Sequence, residues 1–131
     1  MKLNEDRVPI NLEEALIILK ETLEPEDIEE IKNPESTSTQ LHFSFGMYLR
    51  NEWSLWHKDT VLVEWFNKTY GIKHADDISG VILECLWNDV RGEPRKDKIL
   101  AERSIEYWKR IKENPSVKVI VNKDGSLSYE D

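Results

Sequence analysis

The sequence predicts a mainly α fold: a single-domain bundle of about five or six short helices, closed by a small C-terminal β-hairpin. Three observations carry this. Apolar residues recur at spacings of three and four along most of the 131 residues. Pro, Gly and short polar runs separate these periodic stretches, and strict alternation takes over only after Pro115. A composition of 39% hydrophobic residues with five Trp supports a packed core despite 34% charged residues. A chain of this size buries roughly 65–70% of the surface its unfolded form exposes, so it needs no disulfide or metal staple.

The elements follow in order. Leu12 to Leu23 places Leu12, Ala15, Leu16, Leu19 and Leu23 on one stripe, with Asn11 and Glu14 spaced as a capping box. Pro25 opens a short acidic helix to Lys32, whose Ile28 and Ile31 can dock on the first. Residues 33–40, NPESTSTQ, read as a flexible polar loop.

Leu41 to Trp56 holds five aromatic residues around Gly46 and the triplet Arg50-Asn51-Glu52. The spacing of Leu41, Phe45, Tyr48, Leu49, Glu52, Trp53 and Trp56 predicts a central helix over this range, with Leu41, Phe45, Leu49 and Trp53 as core. A helical glycine costs about 1 kcal/mol relative to alanine, so Gly46 marks the close approach of another backbone.

Lys58-Asp59 can cap a fourth helix from Thr60 to Tyr70, burying Leu62, Trp65, Phe66 and Thr69, with Gly71 as its left-handed stop. Asp76 begins a fifth, carrying Ile78, Val81, Ile82, Cys85, Leu86 and Val90 up to Gly92. A sixth, from about Asp97 to Lys112, turns Leu100, Ala101, Ile105, Trp108 and Ile111 inward. In residues 116–131, Val117, Val119 and Val121 alternate, the turn Asn122-Lys123-Asp124-Gly125 follows, and Leu127 and Tyr129 alternate again. Such a hairpin must pack on the helices, pair with another chain or fray, and the second option would offer an edge to a second copy.

Charge and motif content narrow the function classes. No apolar run approaches the length of about 20 residues that crosses a bilayer, and the amino-terminal MKLNEDRVPIN has no signal-peptide core. The one cysteine, Cys85, forms no internal disulfide, and a cytoplasmic setting is expected. Residues 1–35 carry −7 of the net −8, which disfavours nucleic acid and suits solvation or a basic partner. Arg91 to Lys112 holds eight basic residues against four acids, and these can equally meet the acidic face of the same chain.

The three histidines lack ligand spacing. His74 with Asp76 and Asp77 is the nearest approach to a metal set, but helix capping explains the aspartates, so no metal and no cofactor are expected. Cys85 on an apolar face reads as a small hydrophobe. No catalytic motif is present, which leaves no positive reason for an enzyme. The candidate site is therefore a binding one: Arg50, Asn51, Trp53, Trp56, Asp76 and Asp77. Arg50 serves either as an internal strut to Asp76, Asp77 or Asp89, or as an anchor for a ligand.

The run HFSFGMYLRNEWSLW, followed by WFNKTYGIKHADDISGVIL, resembles DUF6794, a bacterial and phage family of unknown function. The resemblance rests on Gly46, the Arg50-Asn51 pair, Trp53 through Trp56, and Gly71 through Gly80, about the middle third of the chain. Ala75 departs from the proline expected there. The resemblance implies a compact helical domain and supplies no reaction. Two functions remain: an acidic interaction module, such as an adaptor, an immunity-like protein or a phage-encoded inhibitor, and a small-molecule pocket or enzyme built on Arg50 and the aspartates.

Overall fold

The computed structural model of the chain describes residues 7–57, 59–123 and 125–130. The first six residues, Lys58 of the expected cap and Asp124 of the expected turn lie outside these. Six helices precede a hairpin: α1 (Leu12–Thr22), α2 (Pro25–Lys32), α3 (Thr39–Glu52), α4 (Val61–Tyr70), α5 (Ala75–Val90), α6 (Asp97–Glu113), β1 (Lys118–Val121) and β2 (Leu127–Glu130). The mainly α architecture with a C-terminal antiparallel hairpin is the one the periodicity predicts.

Local chemistry sets the boundaries. Asn11 Oδ1 accepts the Glu14 amide at 2.9 Å, giving α1 its N-cap. Before α2, the Glu24 amide donates to Asp27 Oδ2 at 2.9 Å, and Pro25 takes the first helical position. The polar loop is two residues shorter than expected, because α3 starts at Thr39. Arg91 Nη1 ties this loop down by donating to the carbonyls of Ile31 and Asn33 at 3.1 and 3.4 Å. At the end of α4, Gly71 has φ 77°, the left-handed stop predicted for it.

Several expectations need correction. The central helix is α5, not the Leu41–Trp56 segment: α1, α2, α3, α4 and α6 all pack on it. Its residues Ala75, Ile78, Ser79, Val81, Ile82, Leu83, Cys85, Leu86 and Trp87 are buried, on more than one face of the helix. The third helix stops at Glu52, where the Leu55 amide donates to Arg50 O at 2.9 Å and the Ser54 amide to Asn51 O at 3.3 Å. These are the two bonds of a Schellman stop, with Ser54 at φ 52° in the place usually given to glycine. The stop buries Trp53 and Leu55 and leaves Trp56 exposed.

Phe45 is half-buried, while Leu41, Leu49 and Trp53 are core as expected. On α4 the buried set is Leu62, Val63 and Phe66, and Thr69 is exposed. Asp59 does not cap that helix. Thr60 occupies the N-cap, and its hydroxyl donates to His57 O. The larger correction concerns α6, where Ala101 alone is buried and Ile105 and Trp108 are exposed.

Ion pairs fasten the ends of the bundle. Asp89 on α5 meets Lys20 Nζ of α1 at 2.7 Å and Arg95 Nε at 2.8 Å, and Arg95 Nη1 reaches Glu13 Oε2 at 2.5 Å. Part of the basic segment after residue 90 is thus used within the chain. Tyr70 Oη donates to Asp97 Oδ2 at 2.6 Å, joining the end of α4 to the start of α6.

Candidate binding cleft

Arg50 lies on α3 one turn beyond Gly46, and its guanidinium folds back over that glycine. A Cβ placed on Gly46 would sit 3.0 Å from Arg50 Nη1. The close neighbour is therefore a side chain of the same helix, not the crossing backbone expected. Arg50 Nη1 donates to Ser79 Oγ at 3.0 Å, and Nε lies 3.4 Å from Asp76 Oδ1 without hydrogen-bond geometry. Cζ stands 5.9 Å from the Trp56 ring centroid. The residue ties α3 to α5 as an internal strut to Asp76, whereas Asp89 pairs with Lys20 and Arg95.

The α5 terminus shapes what lies beyond. His74, not Asp76, is the N-cap, and its Nδ1 accepts the Asp76 amide at 3.1 Å. That bond sets the imidazole beside Trp56 and Trp108, with ring centroids 6.2 and 5.3 Å away. Asp77 sits one residue further on, and its Oδ2 accepts the Trp108 Nε1 proton at 2.7 Å. Burial pushes the Asp77 carboxyl above its usual range, although the Trp108 bond and the nearby His74 act against the rise.

Trp56, His74, Asp77, Ile105 and Trp108 line a cleft of about 490 Å³ with Ile72 and Lys73. Its walls are mostly ring and aliphatic carbon. Trp56 comes from the turn after α3, His74 and Asp77 from the α5 terminus, and Ile105 and Trp108 from α6. A second, more polar cleft of about 600 Å³ lies between the 36–39 loop, α5, α6 and the hairpin turn. There Glu84 Oε1 accepts from Ser38 Oγ and lies 2.8 Å from His42 Nε2. Burial alone would raise the Glu84 carboxyl, but the His42 and Ser38 bonds outweigh it and hold it below its usual range. Ser38 and His42 both turn to this one oxygen, so they are not arranged as nucleophile and base.

The six residues singled out from sequence do not converge on one site. Trp56 and Asp77 share the aromatic cleft, and Asp76 stands beside it, engaged by Arg50. Trp53 is core, with its Nε1 buried and without a hydrogen-bond partner. Asn51 is exposed and lines a shallow depression on α3 with Phe43, Met47 and Arg50. The chain supplies His74 and Trp108 instead. By spacing alone, His74 reads only as a ligand candidate and Trp108 only as core. For Trp108 the signal was an apolar stripe on α6 in a helix of otherwise very polar composition, whereas His74, the α5 N-cap, carried none.

The sequence model of a domain of unknown function, DUF6794, matches residues 8–90. The chain belongs to this family. No curated protein and no solved structure matches it. The DUF6794 segment spans α1 through α5, so it supplies Trp56, His74 and Asp77, while the α6 wall carrying Ile105 and Trp108 follows it. Among the described residues no group of three or more His, Cys, Asp or Glu side chains is placed to hold a metal ion. No helix among them is long and apolar enough to cross a membrane.

Proposed function

We propose that this DUF6794 protein is a small acidic interaction module that binds another protein through the Trp56–His74–Trp108 cleft. One observation carries the reading: two tryptophans, 56% and 45% exposed, wall a recess fixed by a side-chain hydrogen bond. Large rings held half in water keep apolar surface available for burial, and Trp is among the residues enriched where binding energy concentrates. The Trp108–Asp77 bond and the His74 cap hold the recess in shape beforehand, which lowers the ordering cost of association. An adaptor, an immunity-like protein or a phage-encoded inhibitor would all use such a surface. A cytoplasmic setting fits a single buried thiol, Cys85, whose pKa burial pushes up to about 12.

Selection from a displayed random-peptide library tests this. Enriched peptides should share a motif and bind at least about tenfold more weakly to Trp56→Ala and Trp108→Ala, a loss typical of a central hot spot. Enriched peptides that bind both variants as well as the parent would end the reading. A small organic ligand is the second reading, favoured by a cleft volume within the range of such sites. Its Arg50 anion-clamp form is weakened, because that guanidinium already serves Ser79, Asp76 and the Trp56 ring.

A further inference from the structure

Resting on the reading of the aromatic cleft as a protein-binding surface, we propose that its occupant is a cationic side chain, an arginine or lysine on a basic peptide segment of the partner. Aromatic faces carry partial negative charge and attract a cation lying within about 6 Å of the ring centroid. Three rings line this recess, and the protein already makes one such contact internally, with Arg50 Cζ 5.9 Å from the Trp56 centroid. Asp77 adds a full charge. Its carboxylate is half-buried and hydrogen-bonded to Trp108, yet among the described residues no arginine or lysine pairs with it.

The alternatives fit less well. A neutral apolar side chain would strip water from Asp77 and leave its carboxylate to neutral hydrogen-bond donors such as Trp108, with no arginine or lysine opposite it, which is costly. An anionic group would face both that carboxylate and the ring faces. A guanidinium or ammonium uses all of these at once: its apolar stem meets Ile72 and Ile105, its flat or compact head meets the rings, and its charge meets Asp77. The net charge of −8 draws basic segments toward the molecule as a whole, although residues 1–35 carry most of it and none of them lines the cleft. Two groups oppose a cation there: Arg50, whose guanidinium already lies on the Trp56 ring, and the exposed Lys73 at the rim, which gives the proposal a second handle.

The test uses the full chain and three peptides: acetyl-Gly-Arg-Gly-Arg-Gly-amide, the same peptide with citrulline for arginine, and the same with leucine. Binding is followed on the tryptophan indole N–H signals, of which five tryptophans give five. The arginine peptide should shift the Trp56 and Trp108 signals with at least about tenfold higher affinity than its citrulline isostere. Asp77→Asn keeps an acceptor for Trp108 Nε1 while removing the charge, and should reduce that affinity about tenfold. Lys73→Gln should tighten it. Should Asp77→Asn perturb the fold, the citrulline comparison and the Lys73 variant decide the matter without it.

Equal binding of arginine and citrulline peptides, a preference for leucine, or weaker binding by Lys73→Gln overturns the cationic assignment while the cleft remains a binding surface. No shift from any of the three also overturns it, and the library selection then judges the cleft separately. An enriched library motif lacking Arg and Lys would likewise remove the cation and keep the surface.

Discussion

Gly46 and Arg50 act as a pair. A methyl at residue 46 would sit 3.0 Å from Arg50 Nη1, so the guanidinium must give by a few tenths of an ångström, at the expense of its bond to Ser79. Alanine gains about 1 kcal/mol of helix propensity, while losing a hydrogen bond to a charged group costs about 1.5–3 kcal/mol. Gly46→Ala should therefore destabilise by about 1 kcal/mol in denaturant titration, but stabilise by about 1 kcal/mol in an Arg50→Ala background. Equal effects in both backgrounds would break the link. Ser54 offers a simpler case. It holds φ 52° with an ordinary side chain, so Ser54→Gly should stabilise by about 1 kcal/mol, and a loss of stability would show that its side chain is needed there. At this scale the sequence points to Arg50 and leaves open whether it braces the fold or anchors a ligand. The Arg50–Asp76 pair was among those anticipated, but nothing in the spacing says that a glycine makes room for its own helix neighbour. Without a glycine after Trp53, the end of α3 also carried no signal.

Two carboxylates on α5 link element stability to pH with opposite signs. Glu84 is held below its ordinary value of 4.5 by His42 and Ser38 against the effect of burial. A depressed folded pKa gives stability that is present above the unfolded value and lost as pH falls through the folded one. Melting temperature should therefore drop on acidification below about pH 4.5, as the start of α3 loosens from α5. Glu84→Gln should melt lower at pH 7, by about 1 kcal/mol of stability, and decline less steeply toward pH 3. An unchanged slope would detach Glu84 from the acid transition. Asp77 is raised by burial, so its contribution is present at low pH and lost as pH rises through its folded value. Asp77→Asn should accordingly melt higher than the parent at pH 7, and the same substitution should weaken a cationic ligand. Helix existence was readable from periodicity for all six elements. What periodicity could not give was which stripe is covered: α6 carries an apolar face like the others, but Ala101 is its sole buried residue among those described. A pattern of spacing records that a face is apolar and leaves open whether protein or a partner covers it.

Across the whole molecule, the DUF6794 segment and the part that follows it differ in how they hold the fold. Nearly every core residue lies between Leu12 and Trp87, with Ala101 the exception beyond them. The hairpin meets the helices through β2 on α6, where Arg110 Cζ lies 5.0 Å from the Tyr129 ring centroid. Val121 at the end of β1 is 71% exposed. Isolated two-stranded hairpins are marginal, so this one depends on α6 far more than α6 depends on it. Deleting residues 115–131 should leave the helical circular dichroism and a single cooperative melt, lowered by about 5 °C or less. The Trp108–Asp77 bond and the cleft should survive, read as an unchanged Trp108 indole signal. Deleting from residue 97 onward is a different operation. It removes the Asp97 acceptor of Tyr70, takes from α5 the helix packed on it, and takes away the Trp108 wall. That chain should lose its cooperative melt and its response to the arginine peptide. A cooperative transition in the shorter chain would show that the family segment folds alone and that α6 serves the cleft rather than the core.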